Sequence, residues 1–518
     1  MEPHGPVDRR CLPRGVGMTI CAEHDSLEVY LQDNLTTDQL ARPLLVSFTQ
    51  WDFAVAAVAE VAVTLHNMGA RPAVALWSAG TPLRDVGWQA HHRIAQTFGS
   101  PTIDTRIKNA LLAYGLPADT FEQPEPWRGP REPLPSIEAT YRSWLRTLTY
   151  RGAPMGRGIL QVPPSPDVPV TDEYNWPRKY VERAARSYAY ALDQTLAAIE
   201  RTGATSVFAY NGRFLHDSAV AAAAEQRGLP VLSYDTGGLD TDFDLTIDAT
   251  HDWSALQDRM KAMMAKWPEA EANRVGGSWF SDRRDHVEEA NRLFTGAQTI
   301  GQGISRSGDE IVATYFSSSG DEIAELDLQW ADFFDGQPGA LLATAEVCRD
   351  LGYRLVVRTH PHKRFKPKED VTEWHEAVER ANPDVHLDEN SDVDSYTLMD
   401  QSDVVITYGS TTGVEAGYAD RPVIVMGPSA YDELGCAVRV RTVAELREAL
   451  TRRTPPAPRS ALPYGLMMKR RGFTYRYLTR TPSGGRELAG VEIIEPRPIV
   501  RHLSHAVNRL TRRGLLRA

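Results

Sequence analysis

The chain has 518 residues and a formal net charge of −11. That length suits two large domains at roughly 100–200 residues each, and the acidic balance speaks against a general nucleic-acid binder, whose surface would be cationic. No apolar run reaches the roughly 18 residues that a membrane span needs. No export segment is visible at the N-terminus, and the four cysteines (Cys11, Cys21, Cys348, Cys436) have neither metal-ligand nor disulfide-framework spacing. A reducing cytoplasm is the expected compartment, and Cys348, among Ala345, Val347 and Leu351, reads as a small buried hydrophobe.

Residues 1–39 read as a partly disordered extension, with Pro, Gly and Arg concentrated in 1–17 and Met18 as an alternative start. A first α/β domain is expected over 40–300. Leu44–Phe48 predicts a strand, Trp51–His66 an alanine-rich helix, and Pro72–Trp77 a second strand, which is βαβ spacing. Residues 84–115 read as helical, and 117–135 and 160–176 as Pro-rich loops. Pro177–Arg201 predicts a long helix with proline near its start, where a missing N–H costs nothing. Ser206–Tyr210 and Leu229–Tyr234 are strands that flank a helix over Ser218–Arg227. They end in polar loops, Asn211-Gly-Arg-Phe and Asp235-Thr-Gly-Gly. Residues 252–300 read as mostly helical with a break at Gly276–Gly277, and Gly301–Gly308 reads as a linker.

A second α/β domain is expected over 301–460. Strands are predicted at Glu310–Phe316, Tyr353–Arg358, Val385–Leu387, Asp403–Thr407 and Pro422–Met426, with helices over Pro338–Leu351, near 370–381 and over 442–451. Residues 461–518 read as helices that pack back on the first domain and end in a basic tail. Arg497, Arg501, His502, Arg509, Arg512, Arg513 and Arg517 make that tail either a solvated face or a peripheral contact for acidic lipid headgroups at the inner face of the membrane. The fold class is therefore α/β, two nucleotide-binding-like halves with a cleft between them.

The chemistry concentrates at strand ends in the second half, where α/β sheets bind phosphorylated ligands. Gly409-Ser-Thr-Thr-Gly413 follows a strand and leads into a helix. Unpaired N–H groups of the first helical turn and the hydroxyls of Ser410, Thr411 and Thr412 suit a diphosphate, or serve only as a helix cap. Glu415 either closes a capping box onto Thr412 or accepts bonds from ribose or sugar hydroxyls. In Arg358-Thr-His-Pro-His362, Pro361 stiffens the backbone after His360, whose imidazole can oppose the charge of a departing phosphate. Lys363–Lys368 read as a basic surface run. Ser317, Ser318 and Ser319, with Asp321 and Glu322 beyond, face phosphate or acceptor, or cap a helix. Tyr431-Asp-Glu433 offers a weaker contact for base or sugar. On the acceptor side, Asp235 is the best-placed general base, ahead of Asp240, Glu225, Asp217 and His216. No strand runs into GxGxxG and no GKS or GKT follows the Gly409 loop, which disfavours NAD chemistry and a P-loop.

The His360-Pro361 pair, followed by a strand and then by Gly409-Ser-Thr-Thr-Gly-Val-Glu-Ala416, resembles the capsule polysaccharide biosynthesis proteins, which include Kdo transferases. CDP-glycerol glycerophosphotransferases are similar at greater distance. The resemblance spans about 205–435 and implies the GT-B architecture, two Rossmann-like lobes facing across a cleft with the donor on the C-terminal one. It implies that His360, Arg358 and Ser410–Thr412 hold donor phosphate, that Glu415 lies near the sugar or ribose, that Ser317–Glu322 is the first C-lobe loop, and that Asn211 and Arg213 line the acceptor side. It departs at Arg358, where Kdo transferases usually carry lysine; guanidinium keeps the site cationic. The implied activity is glycosyl transfer from a CMP-, UDP-, GDP- or CDP-linked sugar to a glycan or glycolipid, with no cofactor or metal. Epimerase, hydrolase, polyol-phosphate transferase and non-catalytic binding protein are the alternatives.

Overall fold

The computed structural model describes residues 26–48, 52–77, 101–162, 174–247, 252–287, 295–319, 333–366, 368–457, 459–482 and 485–493. The expected N-terminal disorder, the basic tail and Glu322 lie outside these residues.

Two six-stranded sheets organise the chain. In the first, β1 (Pro43–Ser47), β2 (Ala73–Leu76), β3 (Ser206–Tyr210) and β4 (Val231–Thr236) run parallel in the order β2-β1-β3-β4. β1 and β3 are buried along their whole length, which is why they are apolar without alternation. β5 (Asp242–Thr246) then returns antiparallel beside β4.

The second sheet is wholly parallel. Its strands are β6 (Val312–Phe316), β7 (Arg354–Arg358), β8 (Val385–Leu387), β9 (Val404–Thr407), β10 (Val423–Val425) and β11 (Val438–Arg439), in the order β11-β10-β9-β6-β7-β8. Numbered within the lobe this is 3-2-1-4-5-6, the Rossmann order, whose winding reverses between β6 and β9. β12 (Phe473–Thr474), far along the chain, closes the edge of the first sheet against β5. Two such lobes in one chain make the GT-B architecture.

The structure corrects the reading of 252–300. The helices Trp253–Lys266 and Glu269–Arg284 are separated at Trp267-Pro268, and the second runs straight through Gly276–Gly277. The two glycines suggest a break because each costs about 1 kcal/mol against alanine in a helix. Here Gly276 instead permits close packing. A Cβ on it would sit 2.8 Å from the Leu462 carbonyl oxygen of the helix Leu462–Arg470, and a Cβ on Gly465 would collide with Gly276 itself.

The same helices move the lobe boundary. Met260, Trp267, Val275, Trp279 and Phe280 share a core with Val312, Phe316, Val356 and Met467. Each such buried side chain contributes roughly 1.5–3 kcal/mol, so these helices belong energetically to the second lobe, although they precede the expected linker. The first helix also reaches the first sheet, where Arg259 pairs with Asp244 of β5 at 2.9 Å.

Candidate functional site

The carboxyl ends of β6, β7 and β9 converge where the winding of the second sheet reverses. Ser317, just after β6, is buried, and its Oγ accepts the His360 backbone N–H at 2.8 Å. Ser318 N–H and Oγ both donate to Gln337 Oε1, at 2.6 and 3.2 Å. His360 caps the short 3-10 turn Pro361–Phe365, and its Nδ1 accepts the His362 N–H at 3.2 Å. An Nδ1 that accepts leaves the neutral ring's proton on Nε2. Behind it, Thr359 Oγ1 accepts Trp374 Nε1–H at 2.8 Å and lies 2.9 Å from His386 Nε2. The expected basic run is not wholly a free surface: Lys363 is buried, with its ammonium over the Trp374 ring.

After β9, Thr407 Oγ1 accepts the Ser410 N–H at 2.9 Å, and Gly409 between them has φ +88°. Ser410 Oγ accepts the Thr412 N–H at 3.3 Å and donates to Thr412 Oγ1 at 3.2 Å. The helix that follows, Thr412–Tyr418, has only seven residues and no side-chain cap at Thr411. Its dipole is correspondingly small, and the N–H groups of Ser410, Thr412 and Gly413, expected to face a phosphate, are bonded within the loop. Glu415 forms no capping box. Its carboxylate accepts from Arg283 Nε at 2.6 Å instead. Tyr431 is not a ligand contact: it is buried, and its hydroxyl donates to the Ser410 carbonyl at 2.6 Å from beneath.

One cavity of about 260 Å³ joins these parts, lined by Ser317–Ser319, Arg358, His360, Gly409–Thr412 and Glu415. It also takes in residues the sequence did not single out, among them Arg283, Thr295, Gln298, Tyr396 and Tyr408. Arg358 forms part of the wall, but its guanidinium donates to the Asp388 and Ser391 carbonyls at 2.7 and 3.2 Å. Burial lowers its pKa to about 10, which leaves it charged at neutrality. The loop after β8 thus takes two of the donors of the guanidinium that the resemblance assigns to phosphate. The signal for Arg283 was absent because it lies 132 positions before its partner Glu415.

On the first lobe, Asn211 adopts φ +51° and Gly212 φ +76° at the end of β3. Two consecutive residues in this region, one of them not glycine, are a costly turn. It aims Asn211 Nδ2 at Asp235 Oδ2, 2.5 Å away. Asp235 Oδ1 accepts the Thr236 N–H at 2.7 Å. Burial raises the pKa of Asp235, against the opposing pull of these bonds and of Arg471. Arg213 stacks over Phe214, which stacks in turn on Tyr210.

Of the other acid and base candidates, Asp217 stays close enough to Asp235 for the two charges to oppose each other. Asp240 is exposed on the β4–β5 turn, paired with Arg480 at 2.6 Å, because the hairpin swings it outward. Glu225 is exposed at the end of its helix. His216 is half-buried, stacked on Phe48 and 2.8 Å from Ser187 Oγ, and desolvation lowers its pKa to about 4, so it is neutral. Asp217 is buried with Oδ1 unpartnered, and burial holds its pKa well above the carboxylate range. Among the described residues, no group of three or more His, Cys, Asp or Glu is placed to hold a metal ion. No helix among them is long and apolar enough to cross a membrane.

A Rossmann-order sheet with a polar cavity at its winding reversal, in a chain that carries a second α/β lobe with a mostly parallel sheet, defines a GT-B protein with a candidate ligand site in its C-terminal lobe. Residues 340–459 match the model of the family described as capsule polysaccharide biosynthesis protein. No curated protein matches the chain. Among solved structures, it is similar to a Thermosulfurimonas dismutans KpsC β-Kdo 2,4-transferase at 17% identity and TM-score 0.34, covering 58% of this chain and 88% of that one. A β-Kdo 2,7-transferase of the same organism is similar at 14% and 0.32, with 62% and 89% covered. S. aureus MnaA, in a co-structure with UDP, is similar at 11% and 0.25, with 84% and 92% covered. Likenesses this remote carry no information about substrate.

Proposed function

We propose that the chain is a glycosyltransferase of surface-polysaccharide assembly. It takes a nucleotide-activated sugar, CMP-, UDP-, GDP- or CDP-linked, into the second-lobe cavity and transfers the sugar to a glycan or glycolipid acceptor held by the first lobe. The observation that carries this reading is the meeting of His360, Ser317–Ser319 and Ser410–Thr412 around one cavity at the winding reversal, where open α/β sheets bind nucleotides.

In an inverting transfer the acceptor hydroxyl attacks the anomeric carbon while the bond from that carbon to the phosphate oxygen breaks. Asp235 takes the hydroxyl proton; a pKa raised by burial brings a carboxylate nearer the working pH of a general base. The nucleotide leaves with its electron pair, and the Nε2–H of His360 donates to the phosphate oxygen as charge builds there. Neither residue needs a cofactor for this role.

A donor panel tests the reading. The protein is incubated with CMP-, UDP-, GDP- and CDP-linked sugars, with and without candidate glycan acceptors, and nucleotide release is measured. Release that requires acceptor is expected. Equal release without acceptor assigns the cavity to hydrolysis or an off-path reaction, and no release and no nucleotide binding at millimolar concentration removes the enzyme reading.

A further inference from the structure

Resting on that reading, we infer that Arg283 is the mobile cation of the donor site: its guanidinium binds the donor's phosphates, and Glu415 is the counter-ion that holds it in place when they are absent. Two arginines line the cavity, and they differ in what holds them. Arg358 is fixed by two backbone carbonyls, which cannot move without unravelling the loop after β8. Arg283 is held by a side-chain carboxylate at 2.6 Å, and a phosphate can share or replace a carboxylate on the same guanidinium fork.

The geometry keeps Arg283 at the cavity whichever anion it meets. Its guanidinium stacks over Trp279, one turn back on its own helix, at 4.6 Å. Phe280, three residues earlier, stacks flat on Tyr418, three residues after Glu415, with ring centroids 4.1 Å apart and 6° between planes. The two helices therefore touch twice in one register, through an aromatic pair and an ion pair a turn away. The close Gly276–Gly465 crossing fixes the same face of the helix two turns earlier.

Charge gives the arrangement its direction. A lone carboxylate 8% exposed in a phosphate site would repel the ligand. Arg283 cancels that charge in the empty cavity and becomes the bridge between Glu415 and phosphate in the filled one. Glu415 is thereby left with a second oxygen for sugar or ribose hydroxyls.

The full chain and its Arg283→Gln, Arg283→Lys and Glu415→Gln variants are titrated with inorganic pyrophosphate, CMP, CDP, UDP and GDP by calorimetry, with thermal melting as the folding control. The wild type is expected to bind pyrophosphate and at least one nucleotide. Arg283→Gln weakens both at least tenfold, Arg283→Lys recovers part of the loss, and Glu415→Gln tightens pyrophosphate severalfold. If the wild type binds nucleotide and Arg283→Gln binds it equally, Arg283 is only a strut and this inference falls while the proposed function stands. If Arg283→Gln does not fold, Glu415→Gln decides: unchanged or weaker pyrophosphate binding overturns the inference. If the wild type binds none of the probes, the proposed function falls with it.

Discussion

Ser317 Oγ accepts the backbone N–H of His360 at 2.8 Å, so the end of β6 holds the end of β7. The imidazole itself makes a different bond, from the His362 N–H to Nδ1. Backbone placement and proton placement at His360 are thus set by separate partners, and mutation separates them. His360→Ala removes the Nε2 donor but leaves the Ser317 bond. Turnover is expected to drop roughly 10²–10³-fold, the usual cost of one transition-state donor, with the melting temperature nearly unchanged. Ser317→Ala removes the acceptor of a part-buried N–H, at a cost of about 1 kcal/mol, and should lower stability and turnover together. Steady-state kinetics alongside thermal melts distinguish the two patterns; a His360→Ala enzyme of full activity takes the imidazole out of the mechanism.

Gly409 makes the sharp exit from β9. At φ +88° a side chain is strained, and a Cβ would also collide with the Pro428 carbonyl oxygen, which is backbone and cannot swing away. Gly409→Ala is expected to destabilise the protein by roughly 1–3 kcal/mol and to weaken nucleotide binding, because the loop must shift to relieve the clash. Gly352→Ala is the control: it too has positive φ, but its Cβ meets nothing within 4 Å. Calorimetric titration should show lost nucleotide affinity for the first variant only.

Asp235 gives a prediction in pH. Burial raises its pKa, and a general base works only when deprotonated. The rate should therefore fall as the pH drops, through an apparent pKa above the usual carboxylate range. Asp235→Asn is expected to cut kcat by roughly 10²–10⁴-fold, to remove that limb of the profile, and to leave donor-nucleotide affinity intact, since the cavity at His360 does not include it. A variant that loses nucleotide affinity in proportion to rate would place Asp235 on the donor side instead.

What could be read from the residues tracks their physics. A fully buried parallel strand announces itself as an unbroken apolar run, and Ser206–Tyr210 was legible to the residue, as was the partly exposed edge strand Val385–Leu387. β5 was not, because Asp242 and Asp244 interrupt its apolar pattern; both are buried, and Asp244 is neutralised by Arg259, which no local pattern foretells. β12 is two residues long and owes its existence to its partner β5. Strand-end loops also carry their chemistry on their face, and His360 and Ser410 were found that way. Arg283 sits on a helix whose docking is decided by glycines that look, locally, like a helix break. Glu415 showed the converse error: its spacing from Thr412 fits a capping box, but a guanidinium from another helix is the stronger partner for a carboxylate.

Glu60 ties the chain's return to the first lobe, and it makes that return sensitive to pH. Buried within the helix Asp52–Asn67, its carboxyl accepts the N–H groups of Arg476, Tyr477 and Leu478 at 2.6–3.2 Å, just after β12. Burial nevertheless pushes its pKa from 4.5 up to about 7, the three N–H bonds opposing it. Between those two values the folded protein holds a proton that the unfolded chain has released. Its contribution is complete below about pH 4.5 and is lost as the pH rises to 7, a change of roughly 3 kcal/mol. Glu60→Gln cannot titrate, so denaturant unfolding from pH 4.5 to 8 should show that slope in the wild type and a flatter profile in the variant. Glu60→Ala leaves three N–H groups without their acceptor, that of Leu478 buried, and should destabilise by about 1–3 kcal/mol at every pH. Identical slopes in wild type and Glu60→Gln would mean that the carboxylate is ionised throughout, held so by the three N–H groups.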